Sequence, residues 1–140
     1  MAAQTYTIAF DGYWREPNKS GVSVESGIYC VYACTHNTQA NTVSLRMLIY
    51  IGESDNVRSR ISNHEKQRDW ERHLKAGEQL CYSFGAVVAT SRVRCEATMI
   101  YQHKPPANTE YVNEFPFDQT TMSLSGKTVL LNTSFTVYRT

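Results

Sequence analysis

The sequence predicts an α+β domain: a small mixed, mostly antiparallel sheet flanked by helices, with a β-β-α-α-β-α core and extra strands at the ends. Three observations lead there. The 140 residues are 41% hydrophobic, enough for one core and one domain over 1–140. Runs of β-branched and aromatic residues bounded by turn residues mark strands. Between them lie segments whose apolar residues recur at helical spacing.

Residues 5–20 contain Asp11-Gly12 and Pro17-Asn18 and read as a short strand followed by turns. Residues 26–34, rich in Ile, Val and Tyr, form a strand. Residues 35–44 are polar and turn-rich and read as a long loop. Residues 45–52 form a second strand, and an antiparallel hairpin is the simplest connection. Ser54, Asp55 and Asn56 offer caps for a helix over about 57–64, with Val57 and Ile61 on its apolar stripe. Residues 65–76 read as a second helix, with Trp70 and Leu74 at i, i+4 and Gly77 as its C-cap. Residues 80–88 are a third strand. Residues 91–103 are a third helix, ended by Pro105-Pro106. Two strand-like stretches, 128–131 and 134–138, close the chain.

Composition narrows the function classes. Fourteen Lys and Arg against thirteen Asp and Glu leave a net charge of +1, which excludes a histone-like polybasic mode and an acidic solvating tail. The positive charge is local: within 56–75, Arg58, Arg60, Lys66, Arg68, Arg72 and Lys75 face only Glu65, Asp69 and Glu71. The first ten residues carry neither a basic region nor a long apolar run, and no stretch approaches the ~18 apolar residues of a membrane span. A cytoplasmic protein without membrane contact is expected. The cysteines, Cys30, Cys34, Cys81 and Cys95, form no Cys-x-x-Cys pair, so free buried thiols are expected rather than a zinc site. His36, His64, His73 and His103 lack tight ligand spacing as well.

Several residues fit a plain scaffold poorly. Tyr29 and Tyr50 stand on the two hairpin strands and can share one face. Asn56, Arg60 and His64, four apart in turn, share one face of a helix. Glu96 sits among Val93, Cys95, Ala97, Met99 and Ile100, at or within the buried stripe of its helix. A carboxylate there is costly unless paired. Arg92 at i−4 is one partner to expect and a cation the other.

Gly27-Ile28-Tyr29, Tyr50-Ile51-Gly52, then Asn56, Arg58, Arg60, His64, Glu96 and Asn108 together resemble the GIY-YIG endonuclease superfamily over about residues 26–110. The loop between the triplets is longer than in compact members, and Glu53 stands where some members carry lysine. The resemblance implies metal-dependent hydrolysis of phosphodiesters in nucleic acid, DNA before RNA. It implies one Mg²⁺ or Mn²⁺ on Glu96. It makes Tyr29, Tyr50, Arg60, His64, Glu96 and Asn108 the catalytic set, and Arg58, Lys66, Arg68 and Arg72 give the positive charge to hold nucleic acid. These residue types suit the task. A hard divalent ion accepts a single carboxylate with waters and phosphate oxygens, and a guanidinium forks onto a phosphate. Tyrosine activates or positions water once neighbouring cations lower its pKa; the two tyrosines could exchange that role. His64 would orient a tyrosine or relay its proton, and Asn108 would brace the loop after the Glu96 helix. Two other readings stay open: a non-catalytic nucleic-acid-binding module, and a protein-interaction domain using residues 10–14 and the tail strands. Duplex cleavage by one small site also suggests a homodimer or a partner protein.

Overall fold

The computed structural model describes residues 2–140; Met1 lies outside them. Its strands are β1 (Gln4–Arg15), β2 (Gly27–Asn37), β3 (Thr42–Ser54), β4 (Gln79–Ala86), β5 (Thr120–Gly126) and β6 (Ser134–Val137). Its α-helices are α1 (Val57–Ser62), α2 (Gln67–Glu71) and α3 (Ala89–His103). A six-stranded sheet runs β3-β2-β4-β1-β5-β6. Every pairing is antiparallel except β1 with β5. The expected α+β class with a mostly antiparallel sheet is therefore present. No helix among the described residues is long and apolar enough to cross a membrane.

Two apolar layers cover the sheet. On one face α3 lays Cys95, Met99 and Ile100 over Ile8, Phe10, Ile28, Cys30 and Ile51. On the other, Val57 and Ile61 of α1 and Trp70 of α2 pack on Tyr29, Val31, Ile49 and Tyr82. All four cysteines are free and buried.

The interior strand β2, between β3 and β4, is buried from Gly27 through Cys34, which is why it reads as a continuous apolar run rather than an alternation. The expected long loop shrinks to residues 38–41. Residues 35–37 and 42–44, polar apart from Val43, continue the ladder, because solvent-facing strand ends need few apolar side chains. Asn37 shapes the turn, its Oδ1 accepting from the N–H groups of Gln39 at 3.1 Å and Ala40 at 3.0 Å.

Other expectations are corrected. Strand β1 is long, because Asp11-Gly12 is absorbed by an irregularity between Gly12 and Trp14 instead of ending the strand. The helix expected over 65–76 is one short turn, Gln67–Glu71. Gly77 does not cap it: with φ of +82° it serves the turn in which Glu78 N–H donates to Lys75 O at 3.0 Å. The stretch 128–131 is no strand. Val129 and Leu130 are exposed and Leu130 has φ of +68°. The strand lies earlier, as β5, where Thr120, Met122 and Leu124 alternate inward and extend β1 in parallel.

On α3, Val93 is exposed and Arg94 is buried. The Arg94 guanidinium reaches Thr120 Oγ1 at 2.9 Å and the carbonyls of Asp118 at 3.0 Å and Gln119 at 3.1 Å, tying the helix to the start of β5. The helix closes at Lys104, which takes a left-handed conformation (φ 47°) immediately before Pro105.

Candidate active site

The β2–β3 hairpin sets the first two side chains. Tyr29 pairs with Gly52 and Val31 with Tyr50, so the two phenols lie diagonally on one face with ring centroids 6.2 Å apart. Gly52 is required there. A Cβ at that position would stand 2.3 Å from the Tyr29 ring carbon Cζ and its hydroxyl oxygen. The Tyr29 ring therefore lies directly on the backbone of the second triplet. Gly27 is under a similar constraint, since a Cβ would meet Gly85 O at 2.2 Å.

Behind the tyrosines sits an aromatic wall. His64 is buried, and its Nε2 lies 2.8 Å from the Tyr29 hydroxyl. Its Nδ1 accepts the Lys66 N–H at 3.1 Å. An accepting Nδ1 carries no proton, so in the neutral ring the proton is on Nε2, which donates to Tyr29 Oη. Burial, with Arg60 and Lys66 nearby, lowers the His64 pKa to about 4, so the ring is neutral at pH 7. Trp70 stacks on His64 at 4.4 Å and on Tyr50 at 5.2 Å, fixing both rings from below.

In front of the tyrosines opens a cavity of about 310 Å³, lined by Tyr29, Tyr50, Arg60, Lys66, Glu96 and Asn108 among others. Helix α1 brings Arg60. Asn56 starts that helix, its Oδ1 accepting from Ser59 N–H at 3.1 Å. The Arg60 fork is engaged by Glu65 through two bonds of 2.6 and 2.8 Å. Arg60 holds the Glu65 carboxyl down at about 2. The Lys66 ammonium stands 5.9 Å from the centre of the Tyr50 ring.

Helix α3 brings Glu96 from the opposite side. Burial, then the carboxylates of Glu53 and Glu110, push its pKa up to about 8. Arg92 does not pair with it as expected; the guanidinium is bonded to Glu53 and to Ser26 Oγ, the latter at 2.9 Å. Asn108 clasps β3 with its amide. Oδ1 accepts from Ile51 N–H at 3.0 Å and Nδ2 donates to Ile51 O at 2.9 Å. The segment following α3 is thereby fixed to the residue between Tyr50 and Gly52.

Comparison with protein-family models, with curated proteins and with solved structures gives no match for this chain.

Six of the ten residues singled out in the sequence meet at one cavity, and His64 stands directly behind it. Arg58, Arg68 and Arg72 are absent from the lining. Arg58 spends its Nε on Val22 O at 2.7 Å, and Arg72 pairs with Asp69 at 3.1 Å on the open surface. Sequence reasoning missed Glu65 and Glu110 as lining residues. Their only signal was a carboxylate within five positions of Arg60 and another just beyond Asn108.

Among the described residues no three His, Cys, Asp or Glu side chains are gathered as a metal cluster. The donors nevertheless fit a hard divalent cation. Burial, and then two acidic neighbours, raise the pKa of the Glu96 carboxyl, in a cavity roomy enough for waters, and it lacks a cationic side-chain bond of its own. Charge of the opposite sign is what this group needs in order to ionise.

Proposed function

We propose that the chain is a divalent-metal-dependent endonuclease of the GIY-YIG type, hydrolysing phosphodiester bonds in DNA. The observation that carries this reading is the convergence of Tyr29, Tyr50, Arg60 and Glu96 on one polar cavity from four separate elements. A scaffold without chemistry has no need to bury a carboxyl with no salt-bridge partner beside two phenols.

A scissile phosphate suits the space between Arg60 and Glu96. Arg60 exchanges Glu65 for the phosphate and forks two N–H donors onto it, stabilising the charge that grows in the transition state. Lys66 adds a second cation at the rim. Glu96 would hold a Mg²⁺ or Mn²⁺ ion, whose chemistry there would be to neutralise charge on the phosphate and the leaving oxygen.

Tyr29 is the residue that orients the attacking water. His64 donates to its oxygen, so the phenolic proton points away from the imidazole. His64 is then a positioning residue, and in this tautomer it has no free lone pair to take the Tyr29 proton. Burial raises the Tyr29 pKa, and that of Tyr50 to about 12. Both phenols are neutral at pH 7 in the metal-free protein. Ionisation of Tyr29 needs added positive charge, to which Arg60 already contributes.

Nicking of a supercoiled plasmid with Mg²⁺, with and without EDTA, tests the reading. Nicking that EDTA abolishes and Glu96→Gln lacks is expected. Arg60→Ala should lower turnover by at least about 10²-fold while weakening binding far less. Full activity in Glu96→Gln would overturn the assignment.

A further inference from the structure

A second cavity, of about 450 Å³, opens at the far end of the sheet and is larger than the first. Arg15 from the end of β1, Asn18, His36 from the end of β2, Asn41 from the hairpin turn and Lys127 after β5 surround it, with Tyr13 in its wall. Tyr13 packs edge-on against the buried Tyr32 at 5.7 Å. The five polar side chains come from five chain segments, held in place by the sheet itself. Lys127, for instance, is fixed by its N–H donating to Phe10 O at 2.9 Å.

The chemistry of the lining is one-sided. It contains two permanent cations and no carboxylate. Among the described residues neither Arg15 nor Lys127 forms an ion pair, whereas Lys19, Arg46, Arg60, Arg72, Arg92 and Arg139 all do. Half-buried Arg15 has only one long bond, 3.4 Å from Nη1 to Gln79 Oε1. His36 Nε2 lies 3.1 Å from Asn41 Oδ1, which leaves the Asn41 NH₂ group free to donate, and the Asn18 side chain has no hydrogen bond among the described residues. Guanidinium, ammonium and amide donors thus converge without a carboxylate among them. A concave donor set lacking counter-charge, with Arg15 and His36 half-buried, is the complement of an anion.

We infer that this cavity binds phosphate groups, and that in the nuclease reading it holds the nucleic-acid backbone away from the cut. Tyr29 and His36 are seven residues apart on β2, roughly 23 Å along the strand. Tyr13 and Val43 in the wall of the cavity pack on the α3-covered layer of the sheet, and Tyr29 lies on the other, so this second cluster of phosphate donors would take backbone that has passed round the sheet from the cut, adding a positive surface to a chain of net charge +1.

The test uses the full chain carrying Glu96→Gln, so that DNA is bound without being cut. Backbone amide shifts are followed by NMR while inorganic pyrophosphate, and separately a 25-base-pair duplex, is added. Shifts at residues 12–15, 36–42 and 127 with both probes support the inference. Shifts there with pyrophosphate alone support a phosphate site whose natural source is a small phosphorylated ligand. No shifts there with either probe overturn it. In parallel, the Arg15→Gln/Lys127→Gln pair is added to this background, and duplex affinity is measured against salt. Loss of two phosphate contacts should lower the log–log slope by about 1.8; an unchanged slope overturns the backbone role. Lys127→Gln alone, at an exposed position, should lower it by about 0.9 and covers the case in which the double variant folds poorly. Failure of the nuclease reading is a separate result: the wild-type chain would then bind DNA without nicking it, with this cavity still responding.

Discussion

Replacing Glu96 by Gln should stabilise the protein, and only at high pH. The ordinary carboxyl value is 4.5, and in the folded chain Glu96 stands at about 8. Below pH 4.5 the group is protonated whether folded or unfolded, and its contribution is fully retained. As pH rises towards 8 the unfolded chain ionises while the folded one resists. Stability therefore falls by about 1.4 kcal/mol per pH unit. The accumulated loss is roughly 3–5 kcal/mol and is constant above pH 8. Gln is nearly isosteric and cannot ionise. It should match the wild type at pH 4.5 and exceed it at pH 8.5, by a Tm difference on the order of 10 °C for a domain of this size. Thermal unfolding followed by circular dichroism at both pH values, in EDTA, reads the effect. Added Mg²⁺ should then raise the Tm of the wild type at pH 8.5 and leave Glu96→Gln unmoved. Parallel melting curves for the two proteins across the pH range would refute the reasoning. Equal stabilisation of both by Mg²⁺ would remove Glu96 from the cation's coordination.

Three other outcomes are expected. Gly52→Ala should abolish nicking without touching a reacting group, because the new methyl displaces the buried Tyr29 ring. The strain costs roughly 1–3 kcal/mol, so urea melts should find it folded but weakened; wild-type activity would contradict the close approach. Glu65→Gln removes the carboxylate that occupies the Arg60 fork and should raise kcat/KM severalfold at subsaturating duplex; a fall would mean that Glu65 orients Arg60 instead of competing with phosphate. Trp70→Ala should cost about 3–5 kcal/mol by leaving a cavity. Trp70→Phe should cost far less in a urea melt, because the indole N–H it deletes has no hydrogen-bond partner among the described residues.

The hairpin, its two tyrosines and the long last helix were legible because their signals are local. Two runs rich in strand-forming residues, one starting at Gly27 and one ending at Gly52, with a polar turn between them, read directly as a hairpin. Strand β5 escaped notice because Thr121 and Ser123 dilute the inward set of Thr120, Met122 and Leu124, while the more apolar 128–131 is a turn that exposes Val129 and Leu130 and packs only Leu131 on the core. Alternation was the better guide there than hydrophobicity. In the site, the residue types were readable and their pairings were not. Arg92 faces Glu53 across 39 positions and Asn108 clasps Ile51 across 57; such partners are set by how α3 lands on the hairpin. The buried Arg94 gave no signal at all, since its acceptors are carbonyls and a hydroxyl, to which any sequence can contribute.

The Asn108 amide has a consequence for self-association. Strand β3 is the outer strand of the sheet, and an unpaired strand edge is a template for another chain. Here the amide satisfies both main-chain groups of Ile51 as a neighbouring strand would, and Ala107 N–H takes Ile49 O at 3.0 Å. The tyrosine-bearing half of the edge is thus closed to sheet extension. The half nearer the hairpin turn has no such cover, but a bulge at Arg46 interrupts its ladder, and Arg46 is bound to Glu78 and to the His73 carbonyl. One asparagine side chain thereby guards the site against being zipped into a foreign sheet, and Asn108→Ala should be read for aggregation as well as for activity.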